Sequence, residues 1–448
     1  MDNKKLTTAR VLKFAIPSLL GAALFLIPMK IGGEFVLGVS LLCDVIQQWM
    51  NPIVDTLSIV FLSIAAVLPF VAKIWKPRFI TGNKTMNSLF NVSPLIIVVR
   101  VIALLYVVCY LFQVGPEFVW NPKTGGEAYV IFTTILTLMV GTSFLISLLT
   151  DFGIMDYVGI LVRKLMRPLF TLPGRASLDC IASWVGSSLT GALLTSNQYK
   201  DGYYTKREAC VIMTCFSTAA FSFIYILARS CSLEAYFLQS VVAIYAAVIP
   251  CAILLPRVWP LSKSKDEYVE GSSGEIKEEI PAGLSKSRWA LQCAAEKADT
   301  MTVKTFLVRG VQTIASVWFD VLPMVMFVAT TGMIINEYTP IFKFLTAPFV
   351  PVLNWMGFAE ASTAAPMLLT GFLDQFLPVA MANSITAVDT RFFIFCVAIA
   401  QIIYMSEIGV MMIRSKVDFN IGKIFVVFME RTLLSMPIIW VCTQLLIH

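Results

Sequence analysis

Two short stretches hold the side chains best suited to bind a polar molecule within an otherwise apolar chain. Residues 176–200 carry Asp179, Ser183, Ser187, Ser188, Thr190, Thr195, Ser196 and Asn197; residues 360–385 carry Glu360, Ser362, Thr363, Thr370, Asp374, Gln375, Asn383 and Ser384. Written on a helix, Asp179, Ser183, Ser187 and Thr190 fall on one narrow face, and Glu360, Thr363, Thr370 and Asp374 do likewise unless Pro366 breaks the register. Such faces can hydrogen-bond sugar hydroxyls, amides or base edges, while the acids bind a cation or a proton. Ser and Thr are also ordinary glue between membrane helices, so a single hydroxyl reads first as packing. A carboxylate at membrane depth is costly enough to be read as functional. The candidate solute contacts are therefore Ser187, Ser188, Thr190, Asn197, Ser362, Thr363 and Gln375, and the candidates for coupling to a sodium ion or a proton are Glu360, Asp374 and Glu407.

The two stretches belong to a duplicated layout. Pro168 and Pro348 are 180 residues apart, as are Leu189-Thr190-Gly191 and Leu369-Thr370-Gly371; four residues further out of step, Arg207 aligns with Arg391 and Ser222 with Ser406. Each copy runs from an apolar span through an interfacial segment and a polar segment to another span. Paired, polar-interrupted segments of this kind point to a transport site. Polar backbone at membrane depth survives only under cover of protein or a water-filled cavity, so both segments are expected as hairpins or broken helices inside a bundle.

The elements that must position them are membrane spans. With 58% hydrophobic and 14% charged residues, and a mean hydropathy of +0.79, the chain reads as an all-α polytopic membrane protein. Apolar runs at about 12–29, 55–74, 93–115, 128–150, 209–228, 235–256, 311–335, 392–413 and 424–446 give about nine transmembrane helices in addition to the two polar hairpins. Residues 35–50, interrupted by Asp44, Gln47 and Gln48, read as interfacial or half-inserted. Leu26-Ile27-Pro28-Met29 offers no small-residue cleavage pattern, so the first run is kept as a permanent helix. Lys4, Lys5, Arg10 and Lys13 before the first span, and Lys73, Lys76, Arg78 and Lys84 after the second, place the amino terminus in the cytoplasm. Arg257, Lys263 and Lys265 place the 257–305 linker there too, which holds if both hairpins re-enter. The halves are then an inverted structural repeat and the carboxyl terminus lies outside. The address is the cell (inner) membrane.

The linker, with its Gly271-Ser272-Ser273-Gly274 centre and mixed charge, reads as a flexible connector, with 284–304 able to form a surface helix. Arg100 and Asp320 each interrupt a span and are expected to pair across the bundle, whereas the adjacent Glu430 and Arg431 suggest interfacial or oligomer contacts. Ten scattered cysteines and a single histidine, His448, argue against a metal, a haem or a disulfide framework. The net charge of +6 follows from the positive-inside bias and needs no nucleic acid. Neither a His-Glu-x-x-His, a Gly-x-Ser-x-Gly nor a Walker-type loop occurs, which argues against an enzyme and against ATP as the driving force.

Taken twice over, interfacial helix, polar hairpin and following span resemble the nucleoside-recognition, or Gate-domain, proteins, and the whole chain resembles their YjiH-like branch. The closest motif is Glu360-Ala361-Ser362-Thr363-Ala364-Ala365-Pro366-Met367-Leu368-Leu369, which keeps the acid, the proline and the apolar tail but inserts extra small residues; Met405-Ser406-Glu407-Ile408-Gly409 offers a second Ser-Glu pair. The resemblance covers roughly residues 130–230 and 310–415. It divides the chain into N-terminal membrane helices (1–127), a first Gate-type repeat with its connecting span (128–256), the cytoplasmic linker (257–305), a second Gate-type repeat (306–415) and a last transmembrane helix (416–448). It also implies distant kinship with concentrative nucleoside transporters, hence a secondary transporter of a small polar, nucleoside-like solute working by alternating access. The partners are then the lipid bilayer, the solute, and either further copies of the chain or a second Gate-type membrane subunit. The alternative is a scaffold, or one subunit of a heteromeric complex, that moves no solute.

Overall fold

A computed structural model describes residues 6–31, 34–186, 188–269, 284–415, 417 and 419–447. Among them, seven helical segments are long and apolar enough to cross a membrane: Thr8–Phe25, Leu41–Ile74, Pro94–Phe112, Glu117–Leu145, Glu234–Lys263, Val303–Tyr338 and Ile421–Leu446. The expected spans at 209–228 and 392–413 are each broken. Helix Lys206–Cys215 is separated from Phe221–Ser230 by residues 216–220, and Val388–Ala400 from the wide turn Met405–Gly409 by residues 401–404. A short antiparallel pairing of Pro28–Ile31 with Glu34–Leu37 is an exception to the helical plan.

The segment read as interfacial or half-inserted is helical over residues 38–50. Helix Gly38–Met50 runs along helix Glu127–Thr150, where a Cβ on Gly141 would come within 2.4 Å of Ile46 Cδ1. The far part of the linker is likewise docked. Helix Lys286–Asp299, started by the Ser285 hydroxyl accepting from Arg288 N, buries Ala290, Ala294, Ala295 and Ala298. Arg10 pairs with Asp299, Lys13 Nζ donates to Asp299 O at 3.1 Å and Lys286 Nζ to Leu161 O at 2.6 Å, so the start of the first helix and the amphipathic helix Ile154–Phe170 lie at the linker end of the bundle.

The polar segments are hairpins too short to cross. In the second, helices Ala361–Thr370 and Phe376–Ala382 are about 15 and about 10 Å long at 1.5 Å per residue, against a hydrocarbon core of about 30 Å. In the first, Ala176–Ile181, the wide turn Ala182–Gly186 and Ser188–Lys200 give arms of at most about 20 Å. Asp179 ties these arms by accepting from Thr195 Oγ1 at 3.1 Å and Gln198 Nε2 at 2.8 Å. The base of the first hairpin is at the linker end, where a Cβ on Gly174 would meet Arg163 Cγ at 2.5 Å. The base of the second shares a cavity with Glu127 and Glu337, at the opposite ends of their helices. The hairpins therefore enter from opposite faces, which is the geometry of inverted halves.

Charges inside the bundle are satisfied in two different ways. Arg100 Nη2 donates to Asp320 Oδ1 at 2.7 Å, and its Nη1 to Leu89 O at 2.9 Å, so the two mid-span charges meet as their isolation implied. Arg431 corrects the sequence reading, because it is fully buried among the described residues of its own chain. Its guanidinium donates to backbone carbonyls at both helix breaks: Ala400 O (2.6 Å from Nη2, 3.1 Å from Nε), Ser217 O (2.8 Å), Ile402 O (3.4 Å) and Thr214 O. Adjacency to Glu430 carried no information about which helix face turns inward; the freed carbonyls supply the partner.

Both Leu-Thr-Gly glycines stand where a side chain has no room. A Cβ on Gly191 would lie 1.7 Å from Ser183 Oγ and 3.1 Å from Ser183 Cα; one on Gly371 would lie 2.0 Å from Gln401 Nε2. We expect Gly191→Ala to cost about 1–3 kcal/mol, since backbone of the facing arm must shift. Gly371→Ala should cost less, because the obstructing atom is the end of an amide side chain. Thermal unfolding of the detergent-purified variants checks the order; an equal or reversed order would contradict the close approach inside the first hairpin.

Candidate functional site

The two helix breaks and the tips of the two hairpins converge on a cavity of about 610 Å³. That volume lies within the range of roughly 300–1,000 Å³ usual for small-molecule sites. Ser188, opening the second arm of the first hairpin, donates its hydroxyl to Thr218 O in the first break. Gln375, at the turn of the second hairpin, donates from Nε2 to Tyr404 Oη in the second break at 3.3 Å. Each half thus contributes one hydrogen bond that joins a hairpin tip to a residue of a helix break. The Thr218 hydroxyl is buried on the cavity wall and has no hydrogen-bond partner among the described residues.

Phe223 offers an aromatic face beside these groups, and its ring packs edge-on against Phe376 with centroids 5.5 Å apart. Thr142, Ser143, Ser147 and Thr150 line one wall from helix Glu127–Thr150, and Gln312, Thr313 and Ser316 another from helix Val303–Ser316. The deep end carries hydroxyl, amide and phenol groups. Charge is confined to the end nearer the linker helix, where Arg309 Nη1 donates to Asp151 Oδ1 at 2.7 Å. Gly153, two residues beyond Asp151, abuts that helix: its φ is +101°, and a Cβ there would sit 2.5 Å from Ala294 O. Among the described lining residues, the rest of the wall offers neutral hydrogen-bonding groups.

A second cavity, of about 780 Å³, lies at the other ends of the same long helices and includes Lys123, Glu127, Asn336, Glu337 and Lys343. The short helix Phe376–Ala382 stands between the two: Gln375 before it faces the first cavity, Ala380 and Met381 the second. Its Leu377 packs so closely on helix Leu322–Tyr338 that a Cβ on Gly332 would meet Leu377 Cδ2 at 2.4 Å.

The sequence candidates are divided among these places. Ser188 and Gln375 come together in the first cavity, whereas Ser362 and Thr363 line the second. Asn197 is exposed and lines neither. Ser187 lies outside the described residues, as do the side chains of Thr190 and Glu407. Glu360 closes the base of its hairpin: Oε1 accepts from Thr386 N (2.9 Å), Thr386 Oγ1 (2.7 Å) and Ala387 N (3.1 Å), capping the start of helix Val388–Ala400. Asp374, 2% exposed, sits at the hairpin tip beside Gln375 and accepts from Phe376 N at 2.8 Å. Sequence reasoning missed the hydroxyl stripe of Ser143 and Ser147 with Asp151, and that of Arg309, Thr313 and Ser316. Their spacing of three and four within spans was the available signal. Thr218 and Tyr404 had none, because they reach the cavity only where the helix around them is broken.

Comparison with known proteins gives these features a family. A model for the nucleoside recognition, or Gate, domain matches residues 132–233, from the hydroxyl-bearing wall helix through the first hairpin and the first break. An uncharacterized protein of Alkalihalophilus pseudofirmus is 40% identical over 436 residues, covering 97% of this chain and 94% of that one. Among solved structures, CNTnw in an inward-facing substrate-bound state is similar at 16% identity over 99% of this chain and 93% of that chain, with a TM-score of 0.45. A CNTnw variant in an intermediate state is similar at 15% identity over 100% and 95%, with a TM-score of 0.47. With a relative matched nearly end to end, this chain belongs to the family of the A. pseudofirmus protein, and the stretch from its wall helix through its first polar hairpin matches the Gate, or nucleoside recognition, domain.

Proposed function

We propose that this protein is a secondary transporter of a small, neutral, polar organic solute of the nucleoside class, held in the 610 Å³ cavity. The observation that carries this reading is the convergence of two oppositely inserted hairpin tips and two helix breaks on one hydroxyl- and amide-lined chamber. The Gate domain's description supports the solute class, and so do an aromatic face at Phe223 and hydrogen-bonding groups at Ser188, Thr218, Gln375 and Tyr404. Ser362 and Thr363 are assigned to the opposite cavity, as a second station on the same route.

Arg163, Lys164, Arg167, Arg257, Lys263 and Lys265 cluster in sequence around the elements at the linker end, which supports a cytoplasmic linker. The cavity containing Gln375 then opens inward in this conformation, and the wall formed by Phe376–Ala382 separates it from the outside. Coupling to a sodium ion or a proton is assigned to Asp374, the buried acid beside the solute contact Gln375. Glu360 holds the hairpin base through its three hydrogen bonds.

Binding to the native state raises apparent stability by mass action. Wild-type protein in detergent should be stabilised by a nucleoside, and not by amino acids or dipeptides. Gln375→Ala should lose at least about tenfold in affinity, or about 1.4 kcal/mol, while melting normally without solute. No shift with any solute class, in a protein that melts cooperatively, would favour the non-transporting subunit. In proteoliposomes, Asp374→Asn should keep solute binding and lose gradient-driven uptake; unchanged uptake removes the coupling assignment.

Orientation has its own test. A cysteine placed at Thr313 should react with a membrane-impermeant maleimide only from the cytoplasmic face, and one at Ser384 only from the outside, read by mass spectrometry of the labelled peptide. Thr313→Cys labelled from outside would reverse the assignment.

A further inference from the structure

The last helix, Ile421–Leu446, carries a cation into the place where the two halves of the bundle are both unwound. Thr214 and Ser217 flank the end of helix Lys206–Cys215, and Ala400 and Ile402 the end of helix Val388–Ala400. At each break the carbonyls of the last turn have lost the amides four residues on, and the helix dipole places its negative end there. Two such ends facing one another make a cage of carbonyl oxygens with negative potential, of the type that binds a metal cation in transporters with discontinuous helices. Here Arg431 donates from all three guanidinium nitrogens to four of these carbonyls, and among the described residues it forms no ion pair with a carboxylate. The carbonyl dipoles are its counter-charge.

We propose that the Arg431 guanidinium is a tethered substitute for a bound cation, filling the carbonyl cage between the two broken helices. Resting on the cavity as the solute site, it makes Arg431 a positioning residue. By holding Ser217 O and Ile402 O it sets the breaks from which Thr218 and Tyr404 reach the chamber. Ion coupling in this chain is then seated elsewhere than at the breaks.

The test is a melting series on full-length purified protein in sodium chloride, choline chloride and choline chloride with millimolar guanidinium. Arg431→Ala should melt roughly 5 °C or more below wild type in choline. It should regain a substantial part of that loss with guanidinium or with sodium, by clearly more than the same cation shifts wild type. A folded Arg431→Ala protein that melts like wild type, or that no small cation restores, overturns the proposal. Should that variant fail to fold, Arg431→Lys is compared with Arg431→Met, which keeps the length and drops the charge. The lysine variant should melt higher, and equal or reversed melting temperatures overturn the proposal. These readouts need no solute, so they can fail independently of the transporter reading. A nucleoside that stabilises wild type should bind Arg431→Lys more weakly, although Arg431 does not line the chamber.

Discussion

Backbone carbonyls cannot be left bare in a hydrocarbon environment, and the site depends on how this chain meets that constraint at two interruptions of helix. Breaking Lys206–Ser230 and Val388–Gly409 frees carbonyls at the level of the hairpin tips. Arg431 takes up four of them, the Ser188 hydroxyl bonds to Thr218 O, and Met405 N donates to Phe372 O at 2.8 Å. Each bond ties an otherwise separate element to a break: the last helix, the first hairpin and the second hairpin. Unwound backbone is thereby both the weakness that needs cover and the joint that assembles the chamber.

The second hairpin is secured at both ends by carboxylates with different work. Glu360 caps the following helix at the base, and Asp374 organises the tip by accepting from Phe376 N. Between them, Phe376–Ala382 divides one polar chamber from the other, wedged against Gly332 by Leu377. A wall made of one short helix between two cavities is the kind of element that can exchange access by a small rigid displacement. The paired Asp151 and Arg309 put compensated charge at the linker end of the chamber, leaving its depth to neutral groups.

Much of this was legible in the chain. The repeated Leu-Thr-Gly marked both hairpins, although only the close approaches to Ser183 and Gln401 explain why glycine stands there. Arg100 and Asp320 were paired correctly because each was an isolated mid-span charge. Ser188 and Gln375, singled out as polar residues near the hairpin turns, line the same cavity. Asn197, equally polar, faces outward, because a helix with polar residues on several sides does not declare its inner face. Arg431 was misread for the reason that made it important: its partners are carbonyls, which every residue possesses and no sequence pattern displays.

Composition, span length and charge bias by themselves determined a polytopic helical membrane protein with two polar, interrupted segments, because hydrocarbon thickness and the cost of buried charge act on local sequence. Which polar groups share a chamber was decided only by tertiary structure. Thr218 and Tyr404 came to line the cavity where helices broke, Ser362 and Thr363 went to the opposite end, and a helix more than 200 residues beyond the first break supplied the guanidinium that holds both breaks. Such contacts join residues far apart in the chain through backbone atoms, so they exist only once the elements have packed.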